Sequence, residues 1–135
     1  MANISVNLYP VIYPSDSSNI SLKASFRNEV LSTCYEYPGY LLIEDNNPHG
    51  NLQINNKFTG EKPKYFGPKI KLQPSYVAIQ PGEIKYFKVS LQDYGLIKGE
   101  TYPVTYFSSL TYYECGKLSR PYNDLTKSNI IDIKV

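Results

Sequence analysis

The chain has 135 residues, 41% hydrophobic and 19% charged, and this length and composition predict one folded domain spanning residues 1–135. Its net charge is +2 and its basic residues are scattered, whereas nucleic-acid binders concentrate positive charge on one face, so nucleic-acid binding is not expected. No apolar run approaches the ~20 residues that a membrane-spanning helix needs, so membrane insertion is not expected either.

The first half of the chain predicts short β-strands separated by turn residues. Ile4, Val6 and Leu8 alternate with polar residues until Pro10 ends the run. Further strands are predicted at residues 20–26, 40–43 and 52–54. Because the chain opens on a strand rather than on a basic and apolar leader, we expect a cytoplasmic protein if the chain is complete. We expect a periplasmic or secreted protein if a signal peptide has been removed.

The second half carries clearer strands. A strand at residues 76–79 runs into a tight turn, in which Pro81 and Gly82 take the central positions. Strands are then predicted at residues 84–91, 102–107 and 130–135. Pro103 cannot donate a backbone hydrogen bond, so its strand is predicted to be an edge strand or to carry a bulge. Seven or eight short strands predict an all-β fold, an Ig-like antiparallel β-sandwich.

The side chains that catalysis requires are scarce. The one histidine, His49, lies in a turn-rich segment, so neither a HExxH zinc motif nor a histidine-based triad with a GxSxG elbow is present. Glu44 and Asp45 are adjacent on a predicted strand, so their side chains point to opposite faces. No glycine-rich phosphate loop occurs. The sequence predicts a protein that is not an enzyme and has no cofactor and no metal site.

Two cysteines, Cys34 and Cys115, are far apart in the sequence and neither belongs to a CxxC pair. Without an export signal, the expectation is two reduced thiols. The alternative is a disulfide formed in an oxidising compartment, which would stabilise the fold by ~4–5 kcal/mol because it closes a long loop.

A series of motifs in the second half resembles a known domain. The motifs are Tyr65-Phe66-Gly67-Pro68-Lys69, the strand that enters Pro81-Gly82-Glu83, Val89-Ser90-Leu91, and Gly99-Glu100-Thr101-Tyr102-Pro103-Val104. In order and spacing they are similar to the non-catalytic β-sandwich domain that precedes the catalytic domain in deuterolysin-type (aspzincin) zinc metallopeptidases. The resemblance covers residues 3–107, and the segment 112–128 looks like an extension. The motif positions that match are Tyr65, Gly67, Pro68, Lys69, Pro81, Gly82, Gly99 and Tyr102.

In that family the domain acts as a propeptide that blocks the protease. The resemblance therefore implies a stand-alone protein that binds and inhibits a zinc metallopeptidase, such as an immunity protein against a peptidase toxin. The chain contains 14 tyrosines, and tyrosine suits contact surfaces as well as strands. The partner-binding candidates are Tyr35, Tyr37, Tyr40, Tyr112, Tyr113, Glu114, Cys115 and Tyr122. Glu114 and Cys115 are the groups expected to approach a partner's zinc ion.

Three alternatives stay open. Each candidate tyrosine can instead be a core residue. A different class of function, a carbohydrate-binding or adhesion/accessory module, is the runner-up because exposed tyrosine rings stack on sugars and the fold alone does not decide function. A similar sandwich that inhibits serine peptidases would keep the mechanism and change the target.

Overall fold

A computed structural model describes residues 3–10, 21–38, 52–64, 66, 76–91 and 94–135. Several predictions from the sequence lie outside these residues. They are the strand at 40–43, the positions Glu44, Asp45 and His49, and the candidates Tyr40, Tyr65, Gly67, Pro68 and Lys69.

The described part of the chain forms β-strands and contains no helix, which confirms the all-β prediction. The described residues form nine strands, where the sequence predicted seven or eight. In chain order they are β1 Ile4–Pro10, β2 Ser21–Asn28, β3 Tyr35–Pro38, β4 Leu52–Ile54, β5 Tyr76–Ile79, β6 Ile84–Ser90, β7 Thr101–Glu114, β8 Lys117–Lys127 and β9 Ile131–Lys134.

The strands form two antiparallel sheets. The smaller sheet has the order β1-β2-β6. The larger sheet is built around β7, which pairs with β3 and β4 and also with β8 and β9, while β5 pairs with β3. The backbone N–H of Ser128 donates to the carbonyl of Tyr106 at 2.9 Å and continues the ladder from β8 towards β9. β8 and β9 therefore follow one another along the same edge of β7.

Alternating side chains from the two sheets meet in one core, as a sandwich requires. Ile4, Val6 and Leu8 are buried on β1, as their alternation predicts. Phe26 of β2 lies at the centre, with its ring centroid 5.4 Å from that of Tyr106 and 6.3 Å from that of Tyr37, both on the larger sheet. Burying aromatic rings of this size stabilises the fold strongly, because each removes a large apolar area from water.

Asn129 joins the two sheets at the edge of the sandwich. Its side-chain oxygen accepts from the N–H of Leu8 at 2.7 Å, and its side-chain nitrogen donates to the carbonyl of Leu8 at 2.9 Å. β1 is the edge strand of the smaller sheet. The Asn129 amide thus supplies partners for the N–H and the carbonyl that Leu8 directs away from β2.

The predicted tight turn between β5 and β6 is confirmed. The N–H of Glu83 donates to the carbonyl of Gln80 at 3.0 Å, and Gly82 has a φ of +71°. Proline fixes φ at the position before, and glycine accepts the left-handed conformation without steric cost. A Cβ at Gly82 would lie 3.1 Å from the exposed side chain of Leu31, which can shift, so the positive φ is the reason that glycine is favoured here.

Tyr102 has a structural role that explains the Gly99-x-x-Tyr102 motif. Its side chain is buried, and its hydroxyl accepts a hydrogen bond at 2.8 Å from the N–H of Ile97, across the turn that Gly99 makes with a φ of +89°. A tyrosine that bonds back to the backbone at the start of a strand is the tyrosine corner of Ig-like sandwiches.

One expectation about the last third of the chain is corrected. β7, which contains Pro103, is the central strand of its sheet and not an edge, and its ladder to β4 ends at Val104, next to the residue that lacks an N–H. The irregularity in the β7–β8 pairing lies between Tyr112 and Glu114 instead, and the extra residues there belong to β8. The segment 112–128 is an integral part of the sandwich, because it supplies the end of β7 and all of β8 and buries Tyr112 and Thr126.

Tyr37→Phe is expected to raise the free energy of unfolding by about 1 kcal/mol. The hydroxyl of Tyr37 is buried and has no hydrogen-bond partner among the residues that the structure describes, and an unsatisfied buried polar group destabilises a fold. Tyr112→Phe is the matched control. Its hydroxyl donates to Asp124 and accepts from the side-chain amide of Asn3 at 2.8 Å, so its loss should lower the free energy of unfolding by about 2 kcal/mol. Urea unfolding measures both; equal changes of the same sign would contradict the argument.

Candidate binding site at the end of the β7–β8 hairpin

The hairpin of β7 and β8 is tied to β3 by a disulfide between Cys34 and Cys115. Their Cα atoms are 5.4 Å apart, and the N–H of Cys115 donates to the carbonyl of Cys34 at 3.0 Å. The expectation of two reduced thiols is therefore wrong. The physical reason is the pairing of Tyr35 with Glu114 in neighbouring antiparallel strands. Cys34 precedes Tyr35 and Cys115 follows Glu114, so this pairing brings the two cysteines within the distance that a disulfide spans. Cys115 is oxidised and cannot offer a thiolate to a partner's metal ion.

Three of the candidate contact tyrosines are core residues. Tyr35, Tyr37 and Tyr112 are only 5%, 2% and 0% exposed. The ring of Tyr112 packs edge-on against Tyr35, with centroids 5.2 Å apart, and stacks on Tyr122 at 5.3 Å. The prediction that these three are contact residues is corrected, because a buried ring presents no face to a partner, and the core alternative holds for them.

Tyr122 and Glu114 remain accessible and are joined. The hydroxyl of Tyr122 donates to the Glu114 carboxylate at 2.9 Å, and the Lys117 ammonium lies 3.2 Å from the other carboxylate oxygen. These two hydrogen bonds hold the pKa of Glu114 below its ordinary value, and the same carboxylate raises the pKa of Tyr122. At neutral pH the site therefore holds an ionised carboxylate beside a protonated phenol.

A groove of about 760 Å³ opens beside this pair. It exists because β8 bulges: Tyr122 pairs with Tyr112 and Lys117 with Glu114, so residues 118–121 face only one residue of β7. The groove is lined by Glu114, Gly116, Lys117, Ser119, Arg120 and Tyr122. We call it the hairpin groove.

The chain matches no family model and no curated protein.

The outer face of the larger sheet carries a second exposed patch. Tyr113 is half-buried and meets the 47% exposed Tyr76 edge to face, with ring centroids 5.9 Å apart. Phe107 and Leu125 are exposed further along β7 and β8. Of these four residues only Tyr113 was predicted from the sequence. The alternation of exposed residues along β7 is the signal that could have identified Phe107.

Among the residues that the structure describes, no three His, Cys, Asp or Glu side chains come together in a group that could hold a metal ion. No helix within the same residues is long and apolar enough to cross a membrane.

Proposed function

We propose that this protein binds and inhibits a deuterolysin-type zinc metallopeptidase, and that it docks through the hairpin groove. The motif series in the second half of the sequence supports the class of target. The observation that carries the docking site is the accessible Tyr122–Glu114 pair, held on a hairpin that a disulfide and a stacked tyrosine ring fix in place.

A rigid site favours tight binding because little conformational freedom is lost on association. Tyr122 is 38% exposed and its ring is held against Tyr112, so it offers a preformed aromatic surface with one polar tip. Tyrosine and arginine are common among the residues that dominate binding energies, and the hairpin groove contains both.

Glu114 gives the proposal a mechanism. A catalytic zinc ion keeps one coordination position for water or substrate, and a carboxylate oxygen is a suitable ligand there. The lowered pKa of Glu114 keeps that carboxylate charged under the conditions in which the peptidase works. In the proposed complex Glu114 approaches the open zinc position, while Lys117 and Tyr122 orient it.

The disulfide gives information about the compartment in which the protein acts. Disulfides persist in oxidising compartments and are rare in the cytosol. The bond between Cys34 and Cys115 supports a periplasmic or secreted protein over a cytoplasmic one. Inhibition of a peptidase outside the cytosol is then the setting we propose.

Tyr122→Ala is expected to weaken inhibition of a purified deuterolysin-type peptidase by about thirtyfold, or ~2 kcal/mol, because a central aromatic contact is lost. Glu114→Gln keeps the shape and removes the charge, and should weaken inhibition by about tenfold. The measurement is the inhibition constant from residual peptidase activity. Tyr86→Ala is the matched control, since Tyr86 is 55% exposed on the smaller sheet, and it should change the constant less than twofold.

Wild-type protein that leaves the deuterolysin-type peptidase fully active at micromolar concentration would refute the proposal. A serine peptidase tested in parallel separates the two inhibitor hypotheses. If Tyr122→Ala, Glu114→Gln and Tyr86→Ala all weaken inhibition by the same factor, the hairpin groove is not the docking site.

The exposed Tyr76–Tyr113 pair favours a second candidate, a carbohydrate-binding module. Sugar rings stack on exposed aromatic faces, and this pair lies on the open face of a sheet. Glycan-array binding that disappears in Tyr113→Ala and persists in Tyr122→Ala would select this function over inhibition.

A further inference from the structure

The hairpin groove contains one positive charge that no described residue pairs with. Three charged residues line it, namely Glu114, Lys117 and Arg120. Glu114 is neutralised by Lys117 at 3.2 Å and also accepts the hydrogen bond from Tyr122. Arg120 forms no salt bridge with any residue that the structure describes. The groove therefore presents a free guanidinium beside a carboxylate that already has its partners.

The backbone at Arg120 is restricted by its neighbours along the chain. It lies in the bulge of residues 118–121, between Ser119 and Pro121, whose ring restricts the backbone. Tyr122 follows and is stacked on the buried Tyr112. Arg120 is near enough to Tyr122 for its charge to oppose the rise in the pKa of that phenol. The Arg120 guanidinium therefore lies near the ring of Tyr122, which is held in place by its stacking on Tyr112.

We propose that Arg120 receives one carboxylate side chain, an aspartate or glutamate on the surface of the protein partner. The guanidinium offers two parallel N–H donors to a carboxylate, and the hydroxyl of Ser119 lines the same groove as a further donor. A phosphate-rich ligand fits less well, because it would bring several negative charges to a single cation. The inference names the partner chemistry of the docking site and rests on the proposed function.

The test compares charge changes at Arg120, in the hairpin groove, with charge changes at Lys98, near the other end of β7. Arg120→Gln should weaken inhibition of the deuterolysin-type peptidase by about tenfold, and Arg120→Glu by about a hundredfold, because the reversed charge repels the carboxylate. Lys98→Gln and Lys98→Glu are the matched controls. Lys98 is exposed at the opposite end of β7, which at ~3.3 Å per residue lies about 45 Å from the hairpin groove. These two variants should change the inhibition constant less than twofold.

The partner group is identified by a photo-crosslinking residue at Ser119. We expect it to label the peptidase next to an aspartate or glutamate, and reversing that residue to lysine should restore binding to Arg120→Glu. Full inhibition by Arg120→Glu, or a label with no acidic residue nearby, would overturn the inference and leave the proposed function intact.

If wild type does not inhibit the peptidase, the proposed function fails and the groove is tested separately. The probe is then a fluorescent peptide of alternating glycine and glutamate, read by anisotropy. Binding that is lost in Arg120→Glu and kept in Lys98→Glu would support carboxylate recognition. Binding no stronger than that of the glutamine analogue would refute it.

Discussion

Replacing Cys34 and Cys115 together by alanine is expected to lower the free energy of unfolding by about 4.5 kcal/mol. The two residues are 81 positions apart, and the bond between them restricts the unfolded chain far more than the folded one. In the chain-entropy treatment a loop of this length gives about that value at 25 °C. For a domain of this size the corresponding fall in Tm is roughly 15 °C. Thermal unfolding followed by circular dichroism measures it.

Dithiothreitol provides the control for that experiment. It should lower the Tm of the wild type by a similar amount and leave the double variant unchanged, because the variant has no bond to reduce. The variant also tests the link to function: β3 pairs with β7 at only two positions, so losing the disulfide should loosen the hairpin end. A wild type whose Tm is insensitive to reduction, although both thiols then react with a thiol reagent, would contradict the prediction.

The strands that local pattern determines were predictable. Ile4, Val6 and Leu8 alternate with polar residues because one face of β1 is buried, and the same rule locates β9. Pro81 and Gly82 identify the turn between β5 and β6 because their backbone preferences match it. In each case the residues that specify the element are next to one another in the sequence.

Elements that depend on distant partners were not predictable. β3 is four residues long and forms by pairing with β5 and β7, and no alternation distinguishes it from a loop. The disulfide follows from that pairing. The groove depends on the bulge in β8, which appears only once Tyr112 and Tyr122 are known to face each other.

The tyrosines show why the site could be predicted only in part. Tyrosine has an apolar ring and a polar tip, so it occurs in cores and at contact surfaces alike. Tyr112 and Tyr113 are neighbours, yet Tyr112 is fully buried and Tyr113 faces outward, because successive residues of a strand point to opposite sides. The sequence identified the region, and the position of β7 in the sheet decided which rings are accessible.

Above pH 10 the protein is expected to lose stability steeply, because the pKa values of three buried tyrosines are strongly raised in the folded state. Burial raises the pKa values of Tyr37, Tyr106 and Tyr112 well above the ordinary value of 10. In the unfolded chain these phenols ionise near pH 10, whereas in the folded protein they keep their protons. The folded state then binds up to three more protons than the unfolded state, so the free energy of unfolding falls as pH rises. The slope approaches ~1.4 kcal/mol per pH unit for each tyrosine, or about 4 kcal/mol for the three.

A pH titration followed by absorbance at 295 nm and by circular dichroism tests this expectation. The accessible tyrosines among the 14 should ionise while the β-sheet signal is unchanged, and the buried ones should ionise together with its loss. Since a domain of this kind has a total stability of about 5–15 kcal/mol, unfolding should occur within a few pH units above 10. Tyr37→Phe removes one of the three groups, so it should reduce the slope by about a third and move the alkaline midpoint upward. If all 14 tyrosines ionised in one transition near pH 10 with the sheets intact, these rings would have to be accessible to water, and the packing of Phe26 against Tyr37 and Tyr106 that defines the core would be disproved.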